Sequence, residues 1–324
     1  MSLPTTLKKI DDYAFSGCGF TCELVLPEGV EEIGQSAFYR CLNLYGNLRL
    51  PRRLKELGLG AFTTCAGLSG SLVIPQGVTE INESTFSGCG FNGTLTLHDG
   101  ITRIGENAFN NCRFRGELVL PKNIDVIESG TFANNQFSGE LKLPPHIVTI
   151  GARAFFQNGR LTGTLELGDE VISIEDNAFY GCSMLEKLVL NKNIEKIGNG
   201  VFFNCFGIGS IECKGEMPAL IISNTFYGVA KDNFTLEVPE TSVELYQVAA
   251  GWCDFKRIAA HHELVCRPSA ACALATEHKQ TLVLDAEGDW EVASMPDWCQ
   301  LSQTSGSKKT ELTLSIKACG KYGI

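Results

Sequence analysis

A phenylalanine returns every 23 or 24 residues, as Phe15, Phe38, Phe62, Phe86, Phe109, Phe132, Phe155, Phe179, Phe202 and Phe226. Five residues before each stands an aliphatic: Ile10, Ile33, Leu57, Ile81, Ile104, Ile127, Ile150, Ile174, Ile197 and Ile221. The residue directly before the Phe is small or β-branched, as in Ala14, Ala37, Thr85 and Thr131. Beyond each Phe comes an alternating aliphatic pair, such as Leu24/Leu26, Leu72/Ile74, Leu118/Leu120 and Leu188/Leu190. A unit this short cannot bury its own apolar face, so successive units must stack on one another. The chain has 324 residues, which suits two domains or one extended array better than a single ordinary core.

Each unit has a physical reading. The alternating pair is a short strand with one face inward. Pro27, Pro51, Pro75, Pro121 and Pro144 close it by removing a ladder donor. The stretch from Ile to Phe, as in Ile33-Gly-Gln-Ser-Ala-Phe38, spaces apolar residues about one turn apart and predicts a helical or 3₁₀ turn, its Phe plugging the coil. Stacked strands about 4.8 Å apart then form a parallel sheet. The fold class expected is a solenoid of about ten coils with short parallel β-strands and helical or 3₁₀ turns.

The run Leu118-Val-Leu-Pro-Lys-Asn-Ile124-Asp-Val-Ile127, followed by Thr131-Phe132, resembles the BspA-type (Treponema-type) leucine-rich repeats of bacterial surface proteins. The resemblance covers about residues 3–258, because the Ile, Ala-Phe and Cys columns agree throughout. It implies a surface or secreted protein that binds host proteins, matrix or other cells, without naming the partner.

Seven of the 14 cysteines (Cys18, Cys41, Cys65, Cys89, Cys112, Cys182 and Cys205) fall three residues after a Phe. Asn135 and Asn158 take that place in two coils. Interchange of Cys with Asn marks an inward position that bonds loop backbone, the thiol acting as a small filler with a weak donor. Parallel side chains in a ladder do not offer the disulfide dihedral, so free thiols are expected. Cys18-x₃-Cys22 and His261-His-Glu263 lack the spacing of a metal site, and no metal or cofactor is expected.

After residue 205 the columns fray, with Val229 in the Cys position, as end repeats must to close the core. Residues 239–258 read as a cap: a short helix ended at Gly251, with Tyr246, Trp252 and Phe255 as a lid over the last coil. The domains expected are therefore 1–258 for the capped solenoid, 259–263 for a linker and 264–324 for a second domain. In the last, alternation at 281–285, 289–293 and 310–316 predicts a small all-β domain. The order Ala286-Glu-Gly-Asp-Trp290, Pro296-Asp-Trp298-Cys-Gln-Leu301, Thr304-Ser-Gly306 resembles a BACON domain. That resemblance implies an immunoglobulin-like β-sandwich of carbohydrate-processing surface proteins, with Trp298 as a candidate sugar contact; packing within the sandwich is the competing role. Both ends read as cut from a longer chain, since Pro4 sits a full repeat before Pro27 and the last expected strands are missing.

No catalytic constellation emerges. Gly88-Cys-Gly90-Phe-Asn-Gly93 has the letters of a dinucleotide fingerprint but lies where other repeats carry similar Gly-rich text. Ser305-Gly-Ser-Lys308 reads as a polar hairpin loop, and Glu117, Glu140 and Glu166 occupy exposed strand positions without a pocket to desolvate them. A non-enzymatic chain is expected. With 37 acids against 27 bases the net charge is −10, which disfavours nucleic acid, and no apolar run is long enough to span a bilayer.

Strand residues lying between the inward aliphatics form an outward column: Val25, Arg49, Val73, Thr96, Val119, Lys142, Glu166, Val189, Glu212 and Glu237. This is the candidate interaction face, mixed in character and without an aromatic row, so it suits a protein better than a sugar. The function expected is a monomeric recognition protein at the cell surface or secreted, its repeat sheet binding a host or neighbouring-cell protein in the manner of an adhesin. The alternative is a glycan-binding component of a carbohydrate-utilisation system acting through the BACON-like domain.

Overall fold

The computed structural model describes residues 3–222 and 224–260, and beyond these the stretches 265–267, 278–285, 289–291, 299–303, 305–307 and 310–316. The chain divides into two compact units, Met1–Ala260 and His261–Ile324.

The first unit is a parallel β-solenoid of about eleven turns. One ladder of two-residue strands carries the Ile column, pairing Lys9–Ile10, Glu32–Ile33 and Glu56–Leu57, and later Val126–Ile127 through Lys196–Ile197, always parallel and in register. A second ladder carries the Leu pairs. It is most regular at the C-terminal end, where Thr164–Glu166, Lys187–Leu190, Ser210–Cys213, Leu236–Val238 and Ile258–Ala260 form one five-stranded parallel sheet. Ile258–Ala260 is the eleventh turn's strand, so Ala259 and Ala260 belong to the solenoid and not to a linker.

The interior is a column of benzyl rings. Phe15 to Phe226 stack coil on coil, with centroids from 5.1 to 5.8 Å apart and planes within 17° of parallel. That range is the favoured one for offset-stacked rings. A second stack, Phe91–Phe114–Phe137, meets the first edge-on at about 6.1 Å. Its members lie five residues after their Phe, where Leu44, Leu68 and Leu161 lie six after theirs. A larger ring thus fills the space left by a loop one residue shorter. Trp252 and Phe255 close the column on Phe226, and Trp252 Nε1 donates to the Ala219 carbonyl at 2.9 Å.

The turn carrying each Phe is not helical, contrary to the spacing-based expectation. In an α- or 3₁₀-helix every N–H beyond the first turn bonds within the segment. Here alternate N–H groups leave it: Tyr13, Phe15 and Gly17 donate to the Gln35, Ala37 and Tyr39 carbonyls of the next coil, while Ala14, Ser16 and Cys18 close turns within their own. The peptide planes alternate because the residues two before and two after the Phe have positive φ, as in Ser36 (50°), Arg40 (56°) and Thr64 (62°). Left-handed backbone costs a non-glycine residue about 1–2 kcal/mol. Three bonds to the next coil at each turn offset that cost. Among the described residues the only α-helix is Val243–Val248 in the cap, preceded by the 3₁₀ turn Glu240–Ser242.

The Cys column has one task. Sγ of Cys41, Cys65, Cys89, Cys112, Cys182 and Cys205 each donates to the Phe carbonyl of the preceding coil, at 2.9 to 3.3 Å. Nδ2 of Asn135 and Asn158 makes the same bond, to the Phe109 and Phe132 carbonyls at 2.8 Å. The ten cysteines from Cys18 to Cys253 are free thiols.

In the second unit, Val265–Arg267, His278–Asp285, Thr310–Ile316 and Cys299–Leu301 make an antiparallel sheet, and Asp289–Glu291 pairs antiparallel with Ser305–Ser307.

Candidate interaction face

Parallel register puts the outward strand residues into one column. Val73 lies opposite Thr96, and Glu166, Val189, Glu212 and Glu237 are consecutive partners. Alternation along each strand sends their neighbours, such as Leu72, Leu95, Leu165 and Leu188, into the core. The N-terminal part of the column is open to water: Val25, Val73 and Val119 are 61%, 59% and 63% exposed, and Arg49, Thr96, Lys142 and Glu166 are exposed as well.

Val189 and Glu212 differ from the sequence expectation. They point out of the sheet but are only 5% and 9% exposed. Lys214 Nζ reaches Glu166 at 2.9 Å, two coils away, so its stem crosses the coil that holds Val189. Lys187 pairs with Glu212 at 2.9 Å from the adjacent coil. Long basic side chains lay their methylenes on apolar surface in this way while keeping the charge wet. Glu166 also raises the Lys214 pKa above its ordinary value through that hydrogen bond. Glu237 is half-buried. The open face therefore runs from Val25 to Glu166. Beside its C-terminal end lies a shallow groove of about 720 Å³ lined by Glu140, Lys142, Thr164, Glu166, Asp169 and Lys214.

Other sequence candidates are placed as follows. Glu117 and Glu140 are exposed, as Glu166 is. Gly88 and Gly90 sit in the turn after Phe86, and the Gly93 N–H donates to the Gly70 carbonyl, so that motif's amides serve coil stacking. Tyr246, the third member of the lid, is buried with its hydroxyl on the Gly215 carbonyl at 3.1 Å. Cys18 and Cys22 are half-buried, and no group of three or more His, Cys, Asp or Glu suited to a metal occurs among the described residues. Trp298, His261, His262 and Glu263 lie outside the described residues.

An aromatic row does exist, on the turn face instead of the strand face. Phe156, Tyr180, Phe203 and Tyr227 follow their core Phe by one residue and stack at 4.9, 4.9 and 4.5 Å. Phe206 and Tyr227 there are each more than 60% exposed. Sequence reading passed over this column because five of its ten coils hold no aromatic there, as at Ser16, Thr63 and Asn110.

The repeat, its ladders and its Cys/Asn column define a leucine-rich repeat solenoid. The model of the BspA type leucine rich repeat region matches residues 1–115, 69–165 and 114–234, and the chain belongs to that family. No curated protein sequence matches it. Solved structures similar to it include a leucine-rich repeat protein from Bacteroides ovatus, 20% identical over 66% of this chain and 68% of that one, with a TM-score of 0.37. A leucine rich cell surface protein from Faecalibacterium prausnitzii is 19% identical over 78% and 83%, with a TM-score of 0.35. The pneumococcal vaccine antigen PcpA is 18% identical over 80% and 78%, with a TM-score of 0.46. At TM-scores below 0.5 these likenesses add nothing to what the family match shows.

Proposed function

We propose that the chain is a non-enzymatic recognition protein, displayed on a bacterial cell surface or secreted, whose strand face binds a protein of a host or neighbouring cell. The observation that carries this reading is the set of exposed aliphatics Val25, Val73 and Val119 on a rigid parallel sheet. Apolar side chains held open to water at the centre of a charged surround suit a protein contact. Arg49, Lys142 and Glu166 supply that surround. Membership of the BspA-type repeat family supports the surface placement, and no helix among the described residues is long and apolar enough to cross a membrane. The unit His261–Ile324 is read as a BACON-like immunoglobulin-like module acting as a spacer.

The test is adherence of beads coated with the whole chain to cultured epithelial cells and to neighbouring bacteria. Val73→Glu/Val119→Glu is expected to cut adherence at least tenfold while leaving the far-ultraviolet circular dichroism spectrum intact. Undiminished adherence by that variant would remove the strand face from the account. Reproducible binding of the chain to a glycan array, lost on Trp298→Ala, would favour the carbohydrate reading.

A further inference from the structure

The turn face carries a charge pattern that stacking does not require. From two residues before each Phe to five after it, the ten windows 13–20, 36–43, 60–67, 84–91, 107–114, 130–137, 153–160, 177–184, 200–207 and 224–231 contain no Asp or Glu. The whole chain has 37 acids. Burial explains the absence at the Phe, at the residue before it in nine of the ten coils and at the Cys column. Burial does not explain it at the exposed Tyr39, Leu42, Arg113 and Phe206, one or four residues after the Phe. Only Arg113 of these four has positive φ, and that conformation does not select against acids more than against Arg.

The same windows hold the cations Arg40, Arg113, Arg153, Arg160 and Lys231. Lys231 pairs with Asp254 at 2.9 Å. The four arginines are exposed and pair with no carboxylate among the described residues. Arg153 lies over the Phe156 ring, 5.9 Å from its centroid, at one end of the aromatic row. Toward the other end of the solenoid the turn face forms a groove of about 710 Å³ whose lining includes Thr64, Ser87, Asn110, Asn134 and Arg113. A chain of net charge −10 thus keeps one long stretch of its turns free of acids, aromatic and rich in amides, with the exposed Asp12, Glu83, Glu106 and Asp176 at its border.

We infer that the turn face is a second docking surface, and that its occupant is a segment of a partner protein presenting carboxylates around an aromatic or aliphatic side chain. Charge complementarity selects the carboxylates, since arginines engaged in no internal ion pair form bidentate bonds without first breaking one. Arg, Tyr and Phe at the centre with charge of one sign only is the composition of interface hot spots. A saccharide fits less well, because the four rings cover one another's faces and offer water their edges. This inference does not depend on the strand face.

The whole chain is immobilised and a phage-displayed library of random dodecapeptides is panned on it. Enriched peptides are expected to be net negative with at least one aromatic or aliphatic residue. Their affinity is expected to fall at least tenfold on Arg113→Glu/Arg153→Glu/Arg160→Glu and at least threefold on Phe206→Ser/Tyr227→Ser, all of these being surface changes. It is also expected to weaken as salt rises and to be unchanged by Val73→Glu/Val119→Glu. No enrichment, enriched peptides without an acidic bias, or loss only with the strand-face variant would each overturn the inference. So would glycan-array binding abolished by the arginine reversals, which would assign the face to a saccharide. Adherence that responds only to the strand-face variant, alongside peptides that respond only to the turn-face variants, separates the two surfaces.

Discussion

The two asparagines of the Cys column give opposite answers to one substitution. Asn158 is fully buried, and its Nδ2 donates to the Phe132 and Phe155 carbonyls at 2.8 and 3.1 Å, but its Oδ1 has no partner. Asn135 donates to the Phe109, Phe132 and Ala133 carbonyls, and its Oδ1 accepts the Phe114 N–H at 3.0 Å. Replacing Asn158 with Cys removes an orphaned acceptor worth about 1–3 kcal/mol and keeps one donor aimed at the Phe132 carbonyl, at a loss of about 1 kcal/mol for the weaker bond. The net effect expected is between neutral and about 2 kcal/mol stabilising. Replacing Asn135 with Cys strands the Phe114 N–H, about 1–3 kcal/mol, and weakens the donation by about 1 more. The same chemical change in adjacent coils should therefore differ by at least about 2 kcal/mol, or roughly 4 °C or more in melting temperature for a unit of this size. Repeat arrays do not always unfold in one step, so both variants and the parent are to be melted side by side by circular dichroism and by tryptophan fluorescence. Equal shifts for the two, or greater damage from Asn158→Cys, would refute the reasoning.

Other expectations follow from the same interior. Phe109→Ala removes a buried ring with two stacked neighbours and one edge-on neighbour, and should cost about 4–6 kcal/mol; Phe15→Ala, at a half-buried end ring, should cost less than half as much in urea titration. Burial pushes the thiols of Cys65, Cys112 and Cys205 up to about 12 from 9.0. The unfolded chain therefore loses these protons first, and their contribution is fully present below about pH 9. It then falls by about 1.4 kcal/mol per thiol per pH unit until the folded thiols titrate. The urea midpoint should thus drop more steeply from pH 9 to 10.5 in the parent than in Cys65→Ser/Cys112→Ser/Cys205→Ser. A thiol reagent at pH 8 should modify exposed Cys253 rapidly in the native chain and the buried Cys ladder only after denaturation; rapid native modification of Cys89 or Cys182 would contradict the packing described.

Much of the solenoid was legible because burial imposes one residue type per column: Phe at the centre, aliphatics at the two ladders, Cys or Asn on the carbonyl behind. The turn conformation was not, because left-handed positions are taken by Tyr13, Ser36, Arg40 and Thr64 as well as by Gly, and only the bonds to the next coil explain them. The second Phe stack needed a three-dimensional reason, a ring compensating a loop shortened by one residue. On the candidate face, period two correctly sent Val73 and Val119 outward. It sent Val189 and Glu212 outward too, but their cover comes from Lys214 and Lys187 reaching across coils. Side chains of that length act beyond the range of any single repeat, so no periodicity records them. The acid-free turn face was in the letters throughout, and its meaning appeared only when the coils aligned those windows on one side.

The most direct measurement is of ring-to-ring nuclear Overhauser effects in a chain labelled at phenylalanine. Single Phe→Leu variants would assign the rings of Phe86, Phe109 and Phe132. Contacts are expected between Phe86 and Phe109 and between Phe109 and Phe132, at the 5.6 and 5.8 Å separations of neighbouring coils, with none between Phe86 and Phe132. Absence of the neighbour contacts, or a direct contact that skips a coil, would contradict the stacked interior from which the faces and their proposed partners are derived.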